Sequence, residues 1–284
     1  MLPLREGERI QSVLSTRDFA EAEYLVFATK NGTVKKTQFG EYNTPIKADG
    51  IIAIGIREDD ELIAVRRVDP GEEILMVSRE GLAVRFAEDE VRSMGRPAGG
   101  VRGMNITGRD NEVLAMDVAR DDQEMLVVTE NGFGKRTPVS EYRKTSRGAK
   151  GVKTIQQTET KGALAGALVV REHQELVFIS RDGMVQRISV RGINRYGRSS
   201  QGVRLMNLRP DDVVSAVALV VESEAAAVTS PAGEAVSLTA AGDADDVEAI
   251  EADGVIAADP DDDDLLDVPE VVDHDGMPDS DLEE

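Results

Sequence analysis

The stretch Met125-Leu126-Val127-Val128-Thr129-Glu130-Asn131-Gly132-Phe133-Gly134-Lys135-Arg136-Thr137 is an apolar run, an Asn-Gly pair and a short alternating return. Asn-Gly between such runs signals a β-hairpin, and it predicts a type I′ turn with φ > 0 at both central positions. Three further stretches have the same form. Residues 24–37 turn at Asn31-Gly32, 74–86 at Glu80-Gly81 and 176–188 at Asp182-Gly183. The turn glycines Gly32, Gly81, Gly132 and Gly183 stand 49, 51 and 51 residues apart. A second series, Gly50, Gly100, Gly151 and Gly202, keeps spacings of 50, 51 and 51. Two independent markers with one period of about 50 residues indicate an array whose units cannot bury their apolar faces alone.

After each hairpin comes a loop of low apolar content, closed by the second glycine. A third strand is expected at 51–56, 101–106, 152–155 and 203–208, and a fourth at 62–65, 113–118, 164–170 and 213–221. A fifth copy of that fourth strand is expected at 9–14, so the repeat is out of phase with the structural unit. Four short strands per unit, evenly spaced and without a stretch of helical period in 1–221, predict an all-β propeller of about four four-stranded blades. The repeats lie near 19–65, 70–118, 121–170 and 172–221. The chain has no Trp and only 4 % aromatic residues, which excludes blades of the WD type.

The 284 residues carry a net charge of −21, but the average hides a division. Residues 222–284 hold 22 Asp and Glu and no Lys or Arg, leaving 32 acidic against 33 basic residues in 1–221. The reading is therefore a near-neutral body, 1–222, followed by an acidic disordered tail, 223–284, too poor in large apolar side chains to offset its ordering entropy. Of the basic residues 24 are Arg and 9 Lys. With the carboxylate excess, this suggests a halophilic protein. Cysteine is absent, as are an apolar run of 18 residues and a secretory leader, so disulfides, thiolate metal sites and a membrane partner are not expected. A cytoplasmic location is.

Little in the chain suggests catalysis. His173 and His274 have no partner pattern and read as solvated imidazoles. The segment Gly148-Ala149-Lys150-Gly151-Val152-Lys153-Thr154 has Val152 where a phosphate loop needs glycine, and the tail carboxylates lack the frame of a calcium loop. No catalytic residue, metal or cofactor is expected. The cations of the body are placed more suggestively. With alternate strand positions taken to face solvent, the return strands put Lys35 and Lys36, Arg85, Lys135 and Arg136, and Arg187 at matching places. The loops add Lys47, Arg92, Arg96, Arg143, Lys144, Arg147, Lys150, Arg191, Arg195 and Arg198, and the third strands add Arg102, Lys153 and Arg204. One cationic stripe per repeat is expected, offering phosphate contacts that position a duplex without reading its sequence.

The unit Glu130-Asn131-Gly132-Phe133-Gly134-Lys135-Arg136-Thr137-Pro138, followed by Tyr142-Arg143-Lys144-Thr145-Ser146-Arg147-Gly148-Ala149-Lys150-Gly151-Val152, closely resembles the repeat of the DNA gyrase A C-terminal domain. The resemblance recurs four times over residues 1 to about 221. It implies a β-pinwheel, a propeller-like ring whose neighbouring blades exchange strands and whose basic rim wraps double-stranded DNA as a non-catalytic part of a type II topoisomerase. Gyrase A and B subunits are the implied partners. Family members have six repeats, the first carrying QRRGGKG for wrapping. That heptapeptide is absent here, and Ser146-Arg147-Gly148-Ala149-Lys150-Gly151 is its nearest counterpart. The catalytic tyrosine of the family's breakage-reunion domain has no match, since Tyr24, Tyr42, Tyr142 and Tyr196 all lie inside repeats. The chain thus looks like the last four of six blades plus a tail. Open blade edges are expected at 9–14 and 213–221, inviting self-association. The alternatives are the C-terminal domain of topoisomerase IV and a protein-interaction propeller without DNA binding.

Overall fold

The computed structural model describes residues 4, 7–47, 49–108 and 111–220. The acidic segment 223–284, with His274, lies outside them. Each repeat begins with an antiparallel hairpin: β1 (Tyr24–Thr29) with β2 (Thr33–Gln38), β4 (Glu73–Ser78) with β5 (Leu82–Ala87), β8 (Glu124–Thr129) with β9 (Phe133–Pro138), and β12 (Glu175–Ser180) with β13 (Val185–Ser189). A single short 3-10 turn follows each hairpin. Then come β3 (Leu62–Val68), β6 (Val101–Arg102) and β7 (Val113–Ala119), β10 (Val152–Lys153) and β11 (Leu164–Val170), and β14 (Val203–Arg204) and β15 (Val214–Val220).

The turns differ from the expected type. Each is a three-residue loop in which the N–H of Gly32, Gly81, Gly132 or Gly183 donates to the carbonyl of Thr29, Ser78, Thr129 or Ser180 at 3.0, 2.9, 3.0 and 3.1 Å. Among the described non-glycine residues only Asp211 has positive φ, so one left-handed glycine completes each turn in place of the paired φ > 0 residues of type I′. The hydroxyl of the same Thr or Ser accepts the N–H that opens the return strand, at 3.0 to 3.2 Å.

The sheets are built across repeats. Their orders are β3-β1-β2-β6, β10-β5-β4-β7, β11-β8-β9-β14 and β13-β12-β15. Each two-residue strand β6, β10 and β14 thus completes the sheet of the preceding repeat, pairing with β2, β5 and β9. This accounts for the out-of-phase repeat. It also accounts for two corrections. The third strand expected at 51–56 does not form, because no described repeat offers it a return strand, and the fourth sheet has three described strands because β13 receives none. Residues 9–14, expected as a strand, have no regular structure, and the other third strands shorten to two residues. β7 packs between β3 and β11, and β11 between β7 and β15, in the manner of successive inner strands of a propeller.

The core follows the same plan. One apolar cluster joins Val26, Val34 and Val68 to Ile74, Met76 and Phe86. A second joins Leu75 and Val77 to Met125 and Val127, and a third joins Leu126 and Val128 to Leu176 and Phe178. Each of these three lies between two consecutive repeats, which bury their apolar faces against one another, while a fourth cluster, of Ala22, Leu25, Phe27, Phe39 and Val65, lies within the first repeat. β4 and β8, in the middle of the stack, are buried along their whole length.

Candidate nucleic-acid interface

Burial between repeats reverses part of the cationic stripe. Lys35, Lys36, Arg85, Lys135 and Arg136, expected to face solvent, are all buried, because the return strands are covered on both faces and neither of two adjacent side chains is left to water. Their charges are met inside. Arg85 pairs with Glu73 and Arg136 with Glu124 (2.7 Å), each carboxylate standing twelve residues earlier on the adjoining strand. A cation from the following repeat closes on the same carboxylate, Lys144 on Glu73 and Arg195 on Glu124. In the first repeat Tyr24 replaces the acid, and Lys36 lies 4.5 Å from its ring centroid and pairs with Glu88 of the second repeat. Arg187, whose return strand has no described repeat over it, pairs with Glu175 at the surface. Backbone bridges at equivalent places, Lys36 with Ser93, Arg85 with Lys144 and Arg136 with Arg195, tie the same junctions.

Lys35 and Lys135 have no carboxylate partner among the described residues. The Lys35 ammonium donates to the carbonyls of Ala53 (2.6 Å) and Arg96 (2.5 Å). That of Lys135 donates to the carbonyls of Gly197 and, at 2.7 Å, Arg198. Burial pulls both amines down to about 8; Arg96 and Arg198 push in the same direction, against Glu41 and Glu141.

The remaining cations form the accessible set. Arg143 and Lys150 are exposed and, among the described residues, make no side-chain hydrogen bond or ion pair, as do Lys47 and Arg92. Arg102, Lys153 and Arg204, on β6, β10 and β14, are exposed as expected. Lys153 also reaches Gln156, and Arg204 lies 5.1 Å from the centroid of Phe133, which Lys161 approaches to 5.1 Å as well. Lys144, Arg195, Arg187 and Arg191 are exposed with one carboxylate partner each. Arg96, Arg147 and Arg198 are half-buried. Arg147 is committed to the backbone, its Nε to Glu90 O at 2.9 Å and its Nη1 to Arg102 O at 3.1 Å, and Arg198 Nη1 donates to Lys153 O at 3.2 Å. The structure thus sets each short-strand cation, Arg102 and Lys153, beside the arginine loop of the following repeat.

The carboxylates Glu73, Glu88 and Glu124 escaped the sequence reading. So did Glu90 and Glu141, which accept the backbone N–H of Arg147 and Arg198 at 2.9 and 3.2 Å. The recoverable signal was the constant twelve-residue offset of Glu73, Glu124 and Glu175 from Arg85, Arg136 and Arg187. Lys161 carried no signal at all. Among the described residues no group of His, Asp or Glu could hold a metal ion, and no helix is long and apolar enough to cross a membrane.

Residues 23–69, 72–120, 123–171 and 174–220 each match the family described as DNA gyrase C-terminal domain, beta-propeller. The chain is 41 % identical over 215 residues to the DNA gyrase A protein of Chlamydia muridarum, covering 75 % of this chain and 26 % of that protein. It is 42 % identical over 226 residues to the DNA gyrase A protein of Staphylococcus epidermidis, covering 78 % and 25 %. The chain therefore spans about a quarter of the length of these curated relatives. The solved C-terminal domain of DNA topoisomerase IV superposes with a TM-score of 0.72 at 25 % identity, over 77 % of this chain and 68 % of that one. That of DNA gyrase A superposes at 0.69 and 23 % identity, over 77 % and 73 %.

Proposed function

The chain belongs to the DNA gyrase C-terminal beta-propeller family, and from that premise we propose that it is a non-catalytic module that holds double-stranded DNA for a type II topoisomerase. Its contacts are with phosphates and independent of sequence, made by exposed cations that recur from repeat to repeat, and gyrase A and B subunits are its working context. The observation that carries this reading is the repeated placement of Arg102 and Lys153 beside the arginine loop of the next repeat, with Arg143 and Lys150 unpaired nearby in sequence. Cations without carboxylate partners are the ones free to replace the counterions of a phosphate backbone. Lys47, Arg92, Arg102, Lys153, Arg204, the half-buried Arg96 and the partly committed Lys144, Arg187, Arg195 and Arg198 complete the proposed surface. Lys35, Lys36, Arg85, Lys135 and Arg136 are left out of it by their burial.

The proposal treats 1–222 as the DNA-holding body and 223–284 as a separate acidic segment that competes with the duplex. Its test is titration of a duplex of arbitrary sequence at several salt concentrations: the slope of log affinity against log salt must fall when Arg143 and Lys150 are removed. A topoisomerase IV role is the second reading, favoured by the superposition at TM-score 0.72. The identities of 41 % and 42 % to gyrase A proteins favour the first.

A further inference from the structure

We propose that Lys35 and Lys135 are positioning residues for this surface: from inside one repeat, each ammonium holds the backbone of the arginine loop of the next, and so sets where Arg96 and Arg198 stand toward a duplex that the lysine itself never touches. The inference rests on the DNA-holding reading above. Both lysines occupy the same place on a return strand, three residues after the turn glycine, and both are 0 % exposed. Both ammoniums point at carbonyls of the same loop, Arg96 O for one and Gly197 O and Arg198 O for the other.

An interior amine on a strand is costly unless its hydrogen bonds are met, and the fold does not demand one here. In the second repeat the position is Val84, packed in the apolar core between repeats. The loop it faces shares with the Lys135 junction a glutamate that accepts the arginine N–H, Glu90 here and Glu141 there, but it has two bonds of its own: the Arg147 Nε donates to Glu90 O at 2.9 Å and Gly148 donates to Gly103 O at 2.6 Å. Two junctions of three therefore use a buried lysine to fix the arginine loop and the third does without. A lysine kept for packing alone would have no reason to aim at two loop carbonyls at one junction and to be replaced where the arginine guanidinium and a glycine N–H already close the loop.

The test uses the full chain with K135V, which installs the residue that the second repeat already carries, and K135R, which keeps a charged donor. Amide hydrogen exchange, corrected for intrinsic rates, is expected to quicken about tenfold or more at 195–199 in K135V. The amides of β8 and β9 and the loop around Arg147 should be unchanged, and K135R should restore protection. Duplex affinity in K135V is expected to fall by the factor that R198A causes, with R198A/K135V no weaker than R198A, because both changes remove one contact. Unchanged exchange at 195–199 overturns the proposal. So does a loosened loop with undiminished affinity, or a loss that adds to that of R198A. Absence of duplex binding in the unsubstituted chain would instead refute the surface, while the exchange data would still decide whether the ammonium holds the loop.

Discussion

At Lys35 and Lys135 a charge sits where a strand buried on both faces would ordinarily place Val, and its titration should be visible in the stability of the fold. Both amines are held at about 8, below the ordinary 10.5. Between those values the unfolded chain binds more protons than the folded one, so stability rises with pH across that window and owes no pH dependence to these groups below it. Tyr142 acts in the opposite sense. Burial pushes its phenol up to about 12 against an ordinary 10.0, so the unfolded chain loses that proton first and stability falls above about pH 10. Urea midpoints should therefore climb from pH 8 to about 10 and then decline, and K35V/K135V should abolish the climb while keeping the decline. A climb of equal size in the double variant would contradict this assignment of the two amines. None of this was legible in the sequence. Period-two alternation assigns one face of a strand to water, and nothing local reveals that a neighbouring repeat, fifty residues on, covers that face. The exposed positions Arg102, Lys153 and Arg204 were read correctly for the converse reason: they stand on the strands the stack adds last.

Among the elements, the two-residue strands carry the junctions, and glycine is what lets them in. Gly151 has φ +96, and a Cβ there would stand 2.6 Å from the carbonyl oxygen of Ala83 on the sheet that β10 completes. Gly50, the same position in the first repeat, has φ +71 and open space around it. G50A is thus expected to cost only the left-handed strain of a non-glycine residue, about 1–2 kcal/mol, whereas G151A adds a backbone clash and should displace β10. Equal losses in urea denaturation would count against the junction as described. The glycine period, the hairpins and the long inner strands were readable because each is local. The third strands were not, since whether one forms depends on a partner in another repeat. That dependence also moves the edge expected at 9–14 to 51–52 and adds β13, whereas β15 stands at the end of its sheet, within the edge expected at 213–221. Val185 on β13 is 67 % exposed and Ile52 is 68 % exposed. By the register of β14 on β9, where Val203 faces Gly134, Ile51 of one copy would face Val185 of another. Pro45, standing where Met94, Thr145 and Tyr196 donate an N–H to the preceding return strand, removes one backbone bond, so this pairing should be weaker than the internal ones. The cysteine-free chain makes it easy to detect: on mild oxidation, mixed I51C and V185C chains should form the hetero-disulfide in excess of either homodimer. Statistical proportions of the three products would rule that contact out.

At the scale of the whole molecule, four repeats share their cores and complete one another's sheets, and the cations left without carboxylates lie at the seams. The body has about as many basic as acidic residues, so attraction for DNA cannot come from net charge and must come from this placement. On the proposal that 223–284 competes with the duplex, the 22 carboxylates of 222–284 would oppose it through a field that reaches about 10 Å in 0.1 M salt and about 3 Å in 1 M. One titration joins these statements: fluorescence anisotropy of a labelled duplex of arbitrary sequence against the full chain, R143A/K150A and the chain ending at 222, from 0.1 to 1 M salt. The account predicts a linear fall of log affinity with log salt, a slope shallower by about one to two units in R143A/K150A, and tighter binding by the shortened chain near 0.1 M that converges with the full chain near 1 M. A slope that R143A/K150A leaves unchanged would contradict the proposal that these seams hold DNA.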